Sequence, residues 1–201
     1  MPKKKKQSHK SPGRPREFDE QEALDAATRV FADKGYESAS LSELTEAMGI
    51  NRVSMYSAFG NKEAMFRKAM ERYSTIQAQY VAGWLAAPTA REAVESLLRN
   101  LITGPNGPGT CFITQPPLTA EDTTEETRRF VALKRSEIER AIERRLEQAI
   151  RDKEIPRTSS AGDLARYYAL FIQGMALQVQ HGATKSQLMR AVDVAMVAFP
   201  A

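Results

Sequence analysis

The chain has 201 residues, 42% apolar and 27% charged, with a net charge of +4, enough for one compact domain of ordinary size plus a small one. No apolar run approaches the ~20 residues that span a bilayer, and the basic N-terminus lacks the apolar stretch of a secretory signal. A single cysteine cannot make an internal disulfide, so a cytoplasmic protein without a membrane partner is expected.

The charge is unevenly placed. Residues 1–16, MPKKKKQSHKSPGRPR, hold seven basic residues and no acid, leaving 22 basic against 25 acidic beyond them. A basic arm on a slightly acidic body predicts a polyanionic partner touched locally. The arm has too little apolar content to order itself. Its last part, Gly-Arg-Pro-Arg, sets Arg14 and Arg16 on a stiff extended backbone that suits a narrow A·T minor groove or the phosphates beside it.

Helical spacing begins at Asp19, a capping residue with Glu22 three positions on. Ala23, Leu24, Ala27, Val30 and Phe31 form an apolar stripe, and Lys34-Gly35 stops it. Ser40 and Glu43 make a second capping box, opening a short helix with Leu41, Leu44 and Ala47 expected to face inward and Gly49 closing it. Asn51 can then cap a third helix. From Ala47 through Lys62 there is no carboxylate, whereas residues 17–46 contain nine acids. A helix meeting DNA needs this: no repelling charge, small residues for close approach, and an Arg able to pair with a base. Arg52 supplies the last, and Tyr56 adds a hydroxyl on a rigid ring.

The pattern Ser40-x-x-Glu43-Leu44-x-x-Ala47-x-Gly49-Ile50, followed by Tyr56-x-x-Phe59-Gly60-Asn61-Lys62-Glu63-x-x-Phe66, resembles the DNA-binding domain of the TetR/AcrR family of transcriptional regulators. Phe31-Ala32-Asp33-Lys34-Gly35-Tyr36 matches that family's first helix end, and the resemblance covers residues 13–66. It implies an all-α protein: a basic arm (1–16), a three-helix helix-turn-helix DNA-binding domain (17–64) and a helical ligand-binding and dimerisation domain (65–201). It further implies a homodimer that represses transcription from a near-palindromic operator and releases DNA when a small effector binds. Carried over by position, Arg52, Val53 and Ser57 would read base edges. Tyr56 and Lys62 would meet phosphates, helped by Ser40, Ser42 and Ser54. Where relatives often have bulky residues or His, this chain has Ser57-Ala58, which shifts affinity toward Arg52 and the arm.

Beyond Lys62 the pattern changes to long helices. Met65, Phe66, Ala69, Tyr73, Ile76, Tyr80 and Trp84 stripe one of them, capped by Asn61. Thr89 with Glu92 opens the next, whose Val94, Leu97, Leu98, Leu101 and Ile102 face a core. GPNGPG (104–109) is a break, and Thr110–Gln115 a short apolar piece cut off by Pro116-Pro117. Phe130, Leu133, Ile138, Ala141, Ile142, Leu146, Ala149 and Ile150 stripe a long charged helix. Ser160 and Asp163 open a helix that His181-Gly182 closes, and Thr184 with Gln187 opens the last.

The penultimate helix is apolar on more than one side, the mark of a second partner. Under the resemblance, Leu164, Tyr167, Phe171, Leu188, Val192 and Met196 would form the dimer interface. Trp84, Leu101, Phe112, Tyr168, Phe171 and Met175 would line a pocket for an apolar or aromatic effector, each of them equally able to be plain core. Cys111, preceding Phe112 and Ile113, is either a small buried hydrophobe or a thiol that senses oxidants and electrophiles. His9 and His181 stand far apart and no nucleophile or metal-ligand pattern is present, so neither an enzyme, a metal nor a cofactor is expected. A nonspecific DNA binder using its arm is the alternative.

Overall fold

The computed structural model describes residues 18–104 and 123–200, and these are helical with no strand among them. Eight helices are described: α1 (Glu20–Ser38), α2 (Leu41–Ala47), α3 (Arg52–Phe59), α4 (Lys62–Leu85), α5 (Ala90–Thr103), α6 (Glu125–Arg151), α7 (Ala161–Gln180) and α8 (Lys185–Ala195), with a closing 3-10 turn at Met196–Ala198. The break at 104–109 and the short apolar piece after it lie almost wholly outside the described residues.

Local chemistry sets the helix starts. The Asp19 carboxylate accepts the backbone N–H of Gln21 at 2.7 Å and of Glu22 at 3.1 Å. Asn51 accepts from Ser54 at 2.8 Å and Asn61 from Ala64 at 2.7 Å. Reciprocal capping boxes close at Ser40–Glu43, Thr89–Glu92 and Thr184–Gln187. Each cap satisfies donors the helix cannot, and is worth about 1 kcal/mol. Gly35 was expected to end α1; its backbone instead kinks there (φ 78°, ψ 167°) and one more turn follows to Ser38. That conformation is open to glycine alone, and it swings Tyr36 into the core, 4.8 Å from the Phe66 ring.

Two hydrophobic cores result. The first gathers Phe31, Leu44, Met55, Phe59, Met65 and Phe66 from α1 to α4 and takes Val131 from α6. The second packs α4 to α8 around Leu97, Leu98, Ile142, Leu146, Tyr168 and Val192. Helix α4 belongs to both, and its 24 residues run unbroken through the boundary expected at 64/65. At ~1.5 Å per residue it is a rigid rod from one core to the other.

Several inward faces differ from expectation. Ala47 is exposed, and Thr45 is buried in its place; the Thr45 hydroxyl donates to the Leu41 carbonyl at 2.9 Å, so its burial leaves no polar group unmet. Along the second half of α4, the row Tyr73, Ile76, Tyr80, Trp84 was expected to face the core. The fully covered row is instead Ser74, Gln77, Val81, Leu85, while Ile76 and Tyr80 are exposed. Ser74 Oγ donates to the Glu71 carbonyl at 3.0 Å, which makes a buried serine tolerable. On α6, Leu133 is exposed and Val131 is covered, because α6 presents its N-terminal half to the first core rather than the second.

Candidate nucleic-acid interface

Helices α2 and α3 meet across a tight turn. Gly49 sits in the left-handed region at φ 66°, and the Ile50 N–H reaches back to the Thr45 carbonyl at 3.1 Å. Met55 and Phe59 anchor α3 in the first core. Positions 52, 53, 56 and 57 therefore fall on its outer side, and all four are exposed. Val53, an apolar side chain 78% exposed, has no structural reason to point outward. The outer face thus carries Arg52, Val53, Tyr56 and Ser57 together, with Ser54 half-buried beside them.

Contacts within the domain tune this surface. Arg52 Nη2 donates to Ser42 Oγ at 2.7 Å, which orients the guanidinium from α2 and leaves most of its donors for another acceptor. The Ser40 hydroxyl caps α2, accepting from the Glu43 N–H at 3.2 Å and donating to Glu43 Oε2 at 2.7 Å. Glu43 also pairs with Lys34. The Lys34 ammonium first, then the N–H and hydroxyl of Ser40, hold the Glu43 carboxyl down to about 2. The carboxylate at the start of α2, three residues before Glu46 and the acid-free window, is thus neutralised within the domain.

Lys62, expected at phosphate, is half-buried and turned inward. Its Nζ donates to the Glu37 carbonyl at 3.3 Å and lies 4.6 Å from the centre of the Tyr36 ring. Another cation, not singled out by sequence, sits where it matters: Lys68 Nζ donates to the Ala58 carbonyl at 3.1 Å, at the negative end of the α3 dipole. No local signal marks Lys68, since its partner lies ten residues away on a different helix. Arg14, Arg16, Cys111 and Phe112 lie outside the described residues.

The helices around the second core depart further from expectation. A cavity of about 680 Å³ opens between α4 and α6, lined among others by Ser74, Gln77, Val81, Leu85, Ile138 and Ala141. None of Trp84, Leu101, Tyr168, Phe171 or Met175 lines it. Those side chains pack in or against the second core. Tyr168 is fully covered there with no hydrogen-bond partner for its hydroxyl among the described residues; burial pushes its pKa up to about 12. Leu188, Val192 and Met196, expected at a dimer face, are buried in the chain's own core, where α8 closes over α5, and so cannot serve a second copy. Leu164 and Phe171 are partly covered by the same core, while Tyr167 is exposed.

Three contacts join α4 to the start of α6, one per turn of α4. Glu63 Oε1 accepts from the Thr124 N–H at 3.0 Å and hydroxyl at 2.5 Å. Arg67 pairs with Glu126 at 2.7 Å, and Glu71 with Lys134 at 3.1 Å. Lys134 then pairs with Glu137 at 3.0 Å and lines the cavity. On the other side Arg72 grips Asp25 of α1 through two bonds, at 2.5 and 2.8 Å. Helix α4 is thereby tied to the DNA-facing domain at one end and walls the cavity at the other.

A helix-turn-helix with a bare, acid-free outer face, fused through one long helix to a helical domain with a cavity, defines a class of DNA-binding regulators. The chain belongs to the TetR family of transcriptional regulators. Residues 23–69 match the family described as bacterial regulatory proteins, tetR family. A cysteine mutant of the TetR family transcriptional regulator CifR, solved with a 26-base-pair operator DNA, is 35% identical; the match covers 93% of this chain and 100% of that one, with a TM-score of 0.87. The transcriptional repressor ComR of Escherichia coli (strain K12) is 29% identical over 196 residues, 95% of this chain and 93% of that protein. BdcR, a repressor of the same organism, is 44% identical over 69 residues, about a third of each chain. These relatives are regulators by name, not enzymes. No helix among the described residues is long and apolar enough to cross a membrane.

Proposed function

We propose that the chain is a transcriptional repressor that binds a near-palindromic operator as a homodimer and lets go when a small organic effector enters the α4–α6 cavity. The outer face of α3 carries this reading. An exposed Val53 beside an oriented Arg52 answers the methyl group of thymine and the acceptors of guanine in a major groove. Ser57 faces the bases beside them, and phosphate contacts fall to Tyr56 and Ser54 and to the arm with Arg14 and Arg16. The apolar row Tyr167, Leu170 and Leu177 is exposed on α7 and supports pairing with a second copy. A two-fold dimer sets its recognition helices about 34 Å apart on successive major grooves.

The test is a fluorescence-anisotropy titration against the DNA upstream of the protein's own gene and against random duplex of equal length. Tighter binding to the upstream DNA is expected at physiological salt. In Arg52→Ala that preference disappears, while weak, salt-dependent binding to both duplexes remains. Equal affinity of the intact protein for both DNAs would instead make it a nonspecific binder.

A further inference from the structure

The cavity between α4 and α6 has a charge pattern that specifies more than its size does. Every lining residue from α4 is neutral. From α6 come three cations, Lys134, Arg140 and Arg144, and one carboxylate, Glu137. Lys134 is already committed to Glu71 and Glu137. Arg140 and Arg144 form no ion pair among the described residues, and Glu139, next to Arg140 in the chain, is taken by Arg166. Two arginines one helical turn apart repel each other. Both can also reach a single oxyanion, for which the guanidinium fork is shaped. The apolar part of the lining comes from Ala78, Val81, Ala82, Leu85, Ile138 and Ala141. A volume near 680 Å³ is that of a site for a small organic molecule.

We propose that this cavity takes an amphipathic organic anion, its hydrocarbon body on the apolar α4–α6 lining and its carboxylate or phosphate held by Arg140 and Arg144. The inference rests on the cavity being the effector site and names the chemistry of that effector. A cationic or purely apolar effector would leave the two arginines unanswered. Because Lys134 joins the cavity to Glu71, an anion at the rim also competes for the charge that ties α6 to α4.

Calorimetric titration of the full chain with octanoate, octyl phosphate, octan-1-ol and octyltrimethylammonium tests this. At least one of the two anions is expected to bind about tenfold or more tightly than the alcohol, with the cation weakest, and anion binding is expected to weaken as salt rises. Arg140→Gln with Arg144→Gln removes the preference for anion over alcohol. Should that pair fail to fold by circular dichroism, Arg140→Lys with Arg144→Lys keeps the charge and retains the preference in part. Ala82→Trp fills the cavity and abolishes all binding. Equal binding of alcohol and anions, a preference for the cation, no binding of any probe, or a preference that survives the glutamine pair would each overturn the inference. Operator release is read separately. Anion binding without release sinks the effector reading and leaves the anion site standing; release by alcohol and acid alike does the reverse.

Discussion

Under the proposed function, Arg52 and Glu43 are single side chains whose contacts prepare a surface for a polyanion. Arg52 would swing freely from the first turn of α3, were it not for the Ser42 hydroxyl 2.7 Å away. Holding a long side chain in one fork geometry before DNA arrives removes rotamer entropy from the binding step. Glu43 acts in the opposite sense, since an uncompensated carboxylate on α2 would repel phosphate. Its partners, Lys34 and Ser40, hold its pKa near 2 against an ordinary value of 4.5. A carboxyl depressed in the folded state stabilises the fold above its unfolded pKa, and that stabilisation drains away as pH falls from about 4.5 to about 2. Glu43→Gln keeps a side chain able to cap α2 but loses the ion pair with Lys34. The variant is therefore expected to show a shallower decline of thermal midpoint across that acid window, with little change in the decline's shape above it. A midpoint profile that overlays the parent's between pH 4.5 and 2 would show that the pair with Lys34 contributes nothing in solution.

At the scale of elements, α4 and α6 are the parts whose behaviour joins the two halves. The helix starts were legible in the sequence because a cap is a local object: Asp19, Ser40, Asn51, Asn61, Thr89, Ser160 and Thr184 each act on an N–H two or three residues ahead. The outer face of α3 was legible for a similar reason, since Met55 and Phe59 leave only one side for Arg52, Val53, Tyr56 and Ser57. The rotation of α4 was not. Tyr73, Ile76, Tyr80 and Trp84 repeat at helical spacing as well as Ser74, Gln77, Val81 and Leu85 do, and only the positions of α5 and α6 decide between the two rows. Leu133 fails for the same reason, because α6 changes cores midway. Lys134 and Thr124 owe their roles to contacts 63 and 61 residues away in the chain, which no periodicity encodes. Thr124 is the informative one. It caps α6, accepting from the Thr127 N–H at 3.2 Å, and donates to Glu63 on α4. Thr124→Ala removes both, so a stability loss of about 1–2 kcal/mol in urea unfolding is expected, the upper range of a lost cap. Thr124→Ser keeps both bonds and should recover most of it. Equal losses in the two variants would mean that the methyl group, not the hydroxyl, fastens α6 to α4.

For the whole molecule the question is what covers the apolar side chains the fold leaves outside. Tyr167, Leu170 and Leu177 follow one another on α7 at spacings of three and seven, and Val194 and Val197 project from α8 and the 3-10 turn after it. Leu170 is 60% exposed and Val197 81%, although both could have been polar at no cost to the chain's own core. By sequence, Leu188, Val192 and Met196 read as the partner-facing set. Their burial shows why sequence could not separate the two: an apolar residue reads the same whether its own chain or a second copy covers it. The distinction becomes testable by charge. Leu170→Arg with Leu177→Arg places two cations on the exposed row of each copy, so that pairing would bury like charges against each other. The variant is expected to sediment at the mass of one chain, with a thermal midpoint reflecting an intact monomer core. Operator affinity should then fall on the order of a hundredfold or more, because the second half-site is no longer held at high effective concentration. Affinity for random DNA should change little, since the arm and α3 remain. Val192→Arg, by contrast, buries a charge inside the chain and is expected to unfold it outright. A Leu170→Arg, Leu177→Arg protein that still sediments as a dimer and binds operator as before would place the contact between copies elsewhere on the surface.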